Sequence, residues 1–110
     1  VGKEMKNQLM AVLAGLMILL FAAATFSLDG AADYGKQVYA EQKCSMCHSI
    51  AGVGGKLASL DHVGSKLNAD QIKKWIKTPK EMKPNVLMKP YPGLSEKDLD
   101  GLAAYLLTLK

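Results

Sequence analysis

Hydrophobic positions are distributed in two ways along this chain. From Asn7 to Leu28 they run together without a single charge, whereas beyond Asp29 they recur at three- and four-residue spacing between polar residues. The run from Leu9 to Leu28 covers 20 residues, about 30 Å as a helix, which is the hydrocarbon thickness of a bilayer. Lys3 and Lys6 precede it, and Asp29 is the first charge after it. The pattern predicts one transmembrane helix, with the basic head on the cytoplasmic side and the rest of the chain across the membrane. A signal peptide has the same charge polarity, and Ala22-Ala23-Ala24 resembles a cleavage site. Its apolar core is usually shorter, about 7–15 residues, so a retained anchor is the expectation and a signal-like segment the alternative. A buried core helix is a poor reading, because the 82 residues that follow cannot wrap a helix that is apolar on every side.

Residues 29–110 read as helices joined by long connections. Residues 29–32 form a short polar join. Tyr34 to Lys43 then reads as a helix with Tyr34 and Val38 at helical spacing, and Gly35 lies four residues before Tyr39. A glycine inside a helix costs roughly 1 kcal/mol against alanine, so it marks either close approach of another backbone or an entry turn. Residues 51–64 hold Gly52, Gly54, Gly55 and Gly64 and read as loop, with no strand-like alternation long enough to matter. They follow no strand, so a phosphate-cradling loop is a poor reading. Asn68-Ala69-Asp70-Gln71 is a capping-box pattern with Leu67 and Ile72 as the staple; Ile72, Trp75 and Ile76 share a face, and Thr78-Pro79 ends the helix. Residues 79–94 contain Pro79, Pro84, Pro90, Pro92 and Gly93, too proline-rich for a helix and longer than an ordinary connection requires. Ser95-Glu96-Lys97-Asp98 repeats the cap signal, so the last helix starts near Glu96, with Leu99, Leu102, Ala103, Leu106 and Leu107 on one face. The expected architecture is all-α: an anchor over 1–28 and a helical domain over 29–110. Its apolar inventory is small for three helices and a wide loop, which suggests that something other than protein fills the middle.

The chain has 110 residues, enough for one domain, so repeat arrays and large α/β enzymes are excluded. Two cysteines exclude a cysteine-rich disulfide scaffold. They sit at Cys44 and Cys47, followed by His48, in C-x-x-C-H, the attachment signal for a c-type haem. Two thiols three residues apart on a tight turn can each reach one vinyl group on the same porphyrin edge, and the next imidazole then points at the iron. The competing readings are a disulfide or thiol redox pair, a zinc site with His62, and plain buried thiols. The first lacks a βαβ pattern, and the second has the spacing Cys-x2-Cys-His-x13-His, outside the usual zinc spacings.

These residues carry a wider likeness. Gly35-x-x-x-Tyr39, Cys44-Ser-Met-Cys-His48, Leu60-Asp-His-Val-Gly64, Trp75-Ile-Lys-Thr-Pro79, Met88-Lys-Pro-Tyr-Pro92 and Leu102-Ala-Ala-Tyr105-Leu together resemble a small bacterial class I cytochrome c over residues 34–109. The resemblance implies one haem c bound through Cys44 and Cys47, with His48 and Met88 as axial ligands. Met82 is the runner-up, because Lys89 intervenes between Met88 and Pro90, and His62 is a third candidate. It further implies that Gly35 and Tyr39 cross the last helix near Leu102 and Tyr105, and that Trp75 lies against the haem as a propionate donor or as plain packing. The family's usual proline carbonyl for the proximal histidine is missing from residues 56–59, so another carbonyl must orient His48.

Two axial ligands leave no open coordination site, so the expected function is single-electron transfer without a substrate pocket. The short join after Leu28 favours a membrane-anchored subunit of a respiratory or photosynthetic complex, with other membrane subunits as partners. A free-standing anchored or secreted shuttle and a zinc or disulfide module are the alternatives. The formal net charge is +4 and every base is a lysine. Lys73, Lys74, Lys77, Lys80, Lys83 and Lys89 face only Glu81 in their span, which suggests docking to an acidic patch on a redox partner or simply a solvated face. The composition argues against a nucleic-acid partner, with no arginine in the chain.

Overall fold

The computed structural model describes residues 28–110. The first element there, α1, spans Leu28–Glu41, so residues 29–32 are helical and not a polar join. A 3-10 turn at Cys44–Met46 follows, then three short strands, β1 His48–Ile50, β2 Val53–Gly54 and β3 Ala58–Ser59. The helices α2 Val63–Lys66, α3 Ala69–Lys77, α4 Pro79–Met82 and α5 Glu96–Leu107 complete the order. The fold is mostly helical, and the all-α expectation is corrected by the small sheet of order β2-β1-β3. β1 pairs antiparallel with β2, Ile50 opposite Val53, and parallel with β3, His48 opposite Ala58.

The expected membrane anchor needs a larger correction. Residues 1–27, which hold almost all of the predicted span, lie outside the described residues. Among the described residues no helix is long and apolar enough to cross a membrane. The last residue of the predicted span, Leu28, opens a 14-residue helix of the folded domain. The membrane-anchored form, the single-pass placement in the cytoplasmic membrane with the domain on its far side, and the membrane-subunit role therefore have no support in the described fold.

The caps act as the sequence implies. Asn68 Oδ1 accepts from Gln71 N at 2.8 Å while Gln71 Oε1 accepts from Asn68 N at 2.9 Å, closing a full capping box on α3. Ser95 Oγ accepts from Asp98 N at 3.1 Å at the start of α5. Each such cap is worth about 1 kcal/mol. Pro79 ends α3 at Lys77 and also opens α4, where a missing N–H costs nothing at the first helical position. That single turn was not expected in the proline-rich segment.

Val38 and Tyr39 from α1, Ile72 and Ile76 from α3, and Leu99, Leu102, Ala103 and Leu106 from α5 form the buried core. Each large apolar side chain buried there contributes roughly 1.5–3 kcal/mol. α1 and α5 meet backbone to backbone. A Cβ on Gly35 would lie 1.8 Å from the Gly101 carbonyl oxygen, and one on Gly101 would lie 3.2 Å from Gly35 N. One turn further along each helix, Tyr39 and Tyr105 pack edge to face with ring centroids 5.7 Å apart. Tyr34 Oη closes the same crossing by donating to Asp98 Oδ1 at 2.5 Å. That bond holds the Asp98 carboxyl below its ordinary range and raises the Tyr34 phenol. The crossing implied by the family resemblance is thus present, with Gly101 as the partner that the sequence reading missed.

Two alanine substitutions in α1 are expected to act with opposite signs. Gly35→Ala forces the helices apart and destabilises by roughly 1–3 kcal/mol or more. Gly30→Ala, with no atom within 4 Å of its added Cβ, gains up to about 1 kcal/mol of helix propensity. Denaturant unfolding midpoints of the two variants check the pair, and equal shifts would contradict the close crossing.

Candidate functional site

The site grows out of the carboxyl end of α1. Lys43 takes the left-handed conformation, φ 56°, ψ 38°, which turns the chain off the helix. The 3-10 turn that follows is closed by Met46 N donating to Lys43 O at 3.1 Å and Cys47 N to Cys44 O at 3.2 Å. Residues three apart eclipse in such a turn, so Cys44 and Cys47 are set on one side of it. The cysteines are unpaired with each other. Cys44 is half-buried against the core and Cys47 is exposed. Burial raises the Cys44 thiol above its ordinary range, and the nearby Lys89 charge opposes that rise.

His48 opens β1, and its parallel pairing with β3 brings Ala58 alongside. His48 Nδ1 lies 3.1 Å from the Ala58 carbonyl oxygen. With Nδ1–H donating to that carbonyl, the proton is placed on Nδ1 and the Nε2 lone pair is free for a metal. Ala58 therefore supplies the orienting carbonyl that the sequence could not assign. The glycines explain how the loop closes so tightly. A Cβ on Gly54, at φ 118°, would fall 2.2 Å from His48 O, and one on Gly55 would fall 2.2 Å from Met46 O. Leu57 N and Ala58 N both donate to Cys47 O, at 3.1 and 3.3 Å, and Gly55 N donates to Ser45 O at 2.8 Å. The segment read as loop is thus a backbone-bonded sleeve around the C-x-x-C-H turn. Its tip, Ala51-Gly52, has positive φ at both residues, as a tight hairpin turn requires, and Asp61 Oδ1 accepts from Ala51 N at 2.8 Å.

On the other side lies the proline-rich segment. Tyr91 N donates to Ile76 O at 2.9 Å, fastening it to α3. Met88 and Tyr91 are half-buried and pack against the core cluster, whereas Met82 ends α4 and does not join that packing. Burial raises the Tyr91 phenol, with the Cys44 and Cys47 positions close enough to add to the rise. Cys44, Met88 and Tyr91 thus pack against the same core cluster. Trp75 is half-buried on α3. Leu87 is 89% exposed. His62 is exposed at the entrance to α2, where Gly64 N docks on Leu109 O.

The residues present fit a haem c. Two thiols share one turn, an imidazole is held through Nδ1, and the Met88 thioether packs on the same core cluster as Cys44. The large exposed apolar side chains Met46, Val53, Leu57 and Leu87 all belong to the cysteine turn, its sleeve or the proline-rich segment. The zinc alternative finds no support: no group of three or more His, Cys, Asp or Glu that could hold a metal ion occurs among the described residues.

The lysines divide in a way the sequence does not show. Lys73 pairs with Asp100, Lys74 with Glu81 at 3.8 Å, and Lys77 with Glu96 at 3.9 Å. Among the described residues Lys80, Lys83 and Lys89 join no ion pair, and Lys89 Nζ lies 5.2 Å from the Tyr91 ring centroid. The picture of six lysines opposed only by Glu81 is corrected to three paired and three free.

Comparison with known proteins agrees with the site. A family model described as cytochrome c matches residues 32–110. Cytochrome c oxidase subunit 2 of Alkalihalophilus pseudofirmus is 32% identical over 88 residues, covering 72% of this chain and 26% of the relative. The chain thus spans about a quarter of the length of that curated relative. No solved structure matches it. With the match, the cofactor is one haem c bound covalently through two cysteines, Cys44 and Cys47.

Gly54→Ala is expected to strain the sleeve by about 1–3 kcal/mol and to lower the unfolding midpoint of the haem-loaded protein. Gly93→Ala, with nothing within 4 Å of the added Cβ, changes stability by under about 1 kcal/mol. Equal tolerance of both, in thermal melts, would contradict the role given to Gly54.

Proposed function

The chain belongs to the cytochrome c family, and from that premise we propose that it carries single electrons, with His48 and Met88 as the axial ligands of its haem. The observation that carries this reading is the C-x-x-C-H turn whose histidine is tied by Nδ1 to Ala58 O at 3.1 Å. The haem, when bound, supplies a one-electron ferric/ferrous couple. The work of the chain is to hold, orient and shield it. Cys44 and Cys47 fix the porphyrin edge, and His48 presents Nε2. Met88 offers a soft neutral sulfur that favours the ferrous state over what a second imidazole would give. Ile72, Ile76 and Leu99 form an apolar wall that disfavours extra charge on the iron, with the same sign. The consequence is a positive midpoint potential. With His48 and Met88 both holding the haem, the protein would leave no place for a substrate.

Met88 is favoured over Met82 because it packs on the core beside Tyr91, which is hydrogen-bonded to α3. Trp75 serves the site as an apolar flank, with its indole N–H available as a donor. The relative is, by name, an oxidase subunit, which supports a redox role for a domain of this kind. For a partner we propose a redox protein bearing an acidic patch, met through Lys80, Lys83 and Lys89, since the ion pairs of Lys73, Lys74 and Lys77 already satisfy much of their charge.

Met88→Ala is expected to abolish the near-infrared methionine–iron band and to lower the midpoint potential, while Met82→Ala preserves both. The reverse result would transfer the ligand role to Met82, and a protein without haem absorption bands would reject the electron-transfer reading as a whole. Replacing Lys80, Lys83 and Lys89 together by glutamate should slow electron exchange with the physiological partner about tenfold or more at low ionic strength. The effect should shrink as salt shortens the screening length. Stopped-flow rates across a salt series test this, and a rate independent of both charge and salt would exclude the docking role.

A further inference from the structure

The parallel pairing of β1 with β3 is only two residues long, His48 opposite Ala58 and Ser49 opposite Ser59. A ladder that short has little register of its own. The orientation of His48 nevertheless depends on it, because the Ala58 carbonyl must stand beside Nδ1. Leu60 N carries the pairing one step further by donating to Ser49 O at 2.9 Å. Asp61 then closes it, with Oδ1 accepting from Ala51 N at 2.8 Å. The His48–Ala58 and Ala51–Asp61 contacts each join residues ten apart in sequence, so they are the two ends of one register.

The Asp61 end is the one that needs a tether. Ala51 holds φ 51°, a left-handed conformation unfavourable for a residue with a Cβ, so the hairpin tip is not kept in place by its own preference. A carboxylate on the Ala51 N–H makes a charge-assisted bond, stronger than a neutral one. Asp61 is itself steadied, its N–H donating to Ser59 Oγ at 3.1 Å. We propose that Asp61 is a positioning residue for His48: by holding Ala51 it keeps the Ala58 carbonyl on Nδ1, and thereby sets the basicity of the ring and the potential of the site. The inference rests on the His48 ligation proposed above. An imidazole whose Nδ1–H is engaged is the more basic donor and favours the ferric state, so loosening the carbonyl raises the potential. Loss of the carboxylate charge acts in the same direction. Asparagine separates the two effects, because it keeps an acceptor oxygen for Ala51 N and lacks the charge.

The test uses the full haem-loaded chain. At fixed ambient potential Asp61→Ala should have a ferrous-to-ferric ratio about threefold above that of Asp61→Asn, roughly 30 mV at 59 mV per tenfold for one electron. The His48 Nδ1 proton should exchange with solvent about tenfold faster in Asp61→Ala than in Asp61→Asn or the unmutated protein. Tyr34→Phe removes the bond to Asp98 at the helix crossing, and should lower the unfolding midpoint without moving the potential or that exchange rate. In the unmutated ferrous protein the Ala51 amide proton and the His48 Nδ1 proton should be protected to the same degree, within about threefold, because one opening releases both. That measurement does not depend on any variant folding. Alanine and asparagine variants alike in potential and Nδ1 exchange, or an unprotected Ala51 amide beside a protected His48 proton, overturn this inference and leave the electron-transfer reading intact. A chain that never acquires haem overturns both.

Discussion

The close approach of α1 and α5 at Gly35 and Gly101 is the constraint on which the rest depends. Each glycine costs its helix roughly 1 kcal/mol of propensity. In return the backbones come near enough for the next turn of each helix to bring Tyr39 against Tyr105. With the two helices locked, the end of α1 has one direction in which to deliver Cys44. α5 then presents Leu99, Leu102, Ala103 and Leu106 as a wall on which α3 lays Ile72 and Ile76. The functional turn and the apolar wall are therefore placed by the same crossing. A change that spread the helices would disturb both at once.

How much of this could be read from the residues depends on whether the signal was local. The starts of α3 and α5 were legible because a cap is a four-residue event, and both Asn68 and Ser95 cap as their neighbours imply. The start of α1 was not, because Leu28 ends a long apolar run and Asp29-Gly30 resembles a break, yet the helix runs through both. The sleeve around His48 was illegible for another reason. Strands of two or three residues have no period to detect, and Gly54 and Gly55 are required by backbone atoms of residues 46 and 48, not by their own neighbours in sequence. Pro79 was read only as a stop, although the same fixed φ that ends one helix suits the first position of the next.

The charges follow the same rule. A lysine every three or four residues along α3 looks like an unopposed basic face. The acids that meet Lys73 and Lys77 come from α5, more than fifteen residues away, and only Lys74 finds its partner nearby. Surface pairs of this kind add little stability, about 0–1 kcal/mol each. Their larger effect is to remove three charges from the field that a partner senses and leave the remainder concentrated over residues 80–89.

The two sides of the site are held by different means, and that difference explains why one was assigned from a motif and the other only by likeness. His48 is fixed within ten residues of chain: a 3-10 turn sets its position, a parallel strand pair brings Ala58 beside it, and a carbonyl sets its tautomer. Such a device leaves a compact trace in sequence. Met88 sits in a segment without regular structure, fastened to α3 through Tyr91 N–H and the Ile76 carbonyl and steadied by packing on a core drawn from three helices. No spacing rule can state that arrangement, because its terms are the positions of α1, α3 and α5. In the proposed ligation, the His48 side is written in the chain, whereas the Met88 side is written in the fold and becomes readable only once the helix crossing has been established.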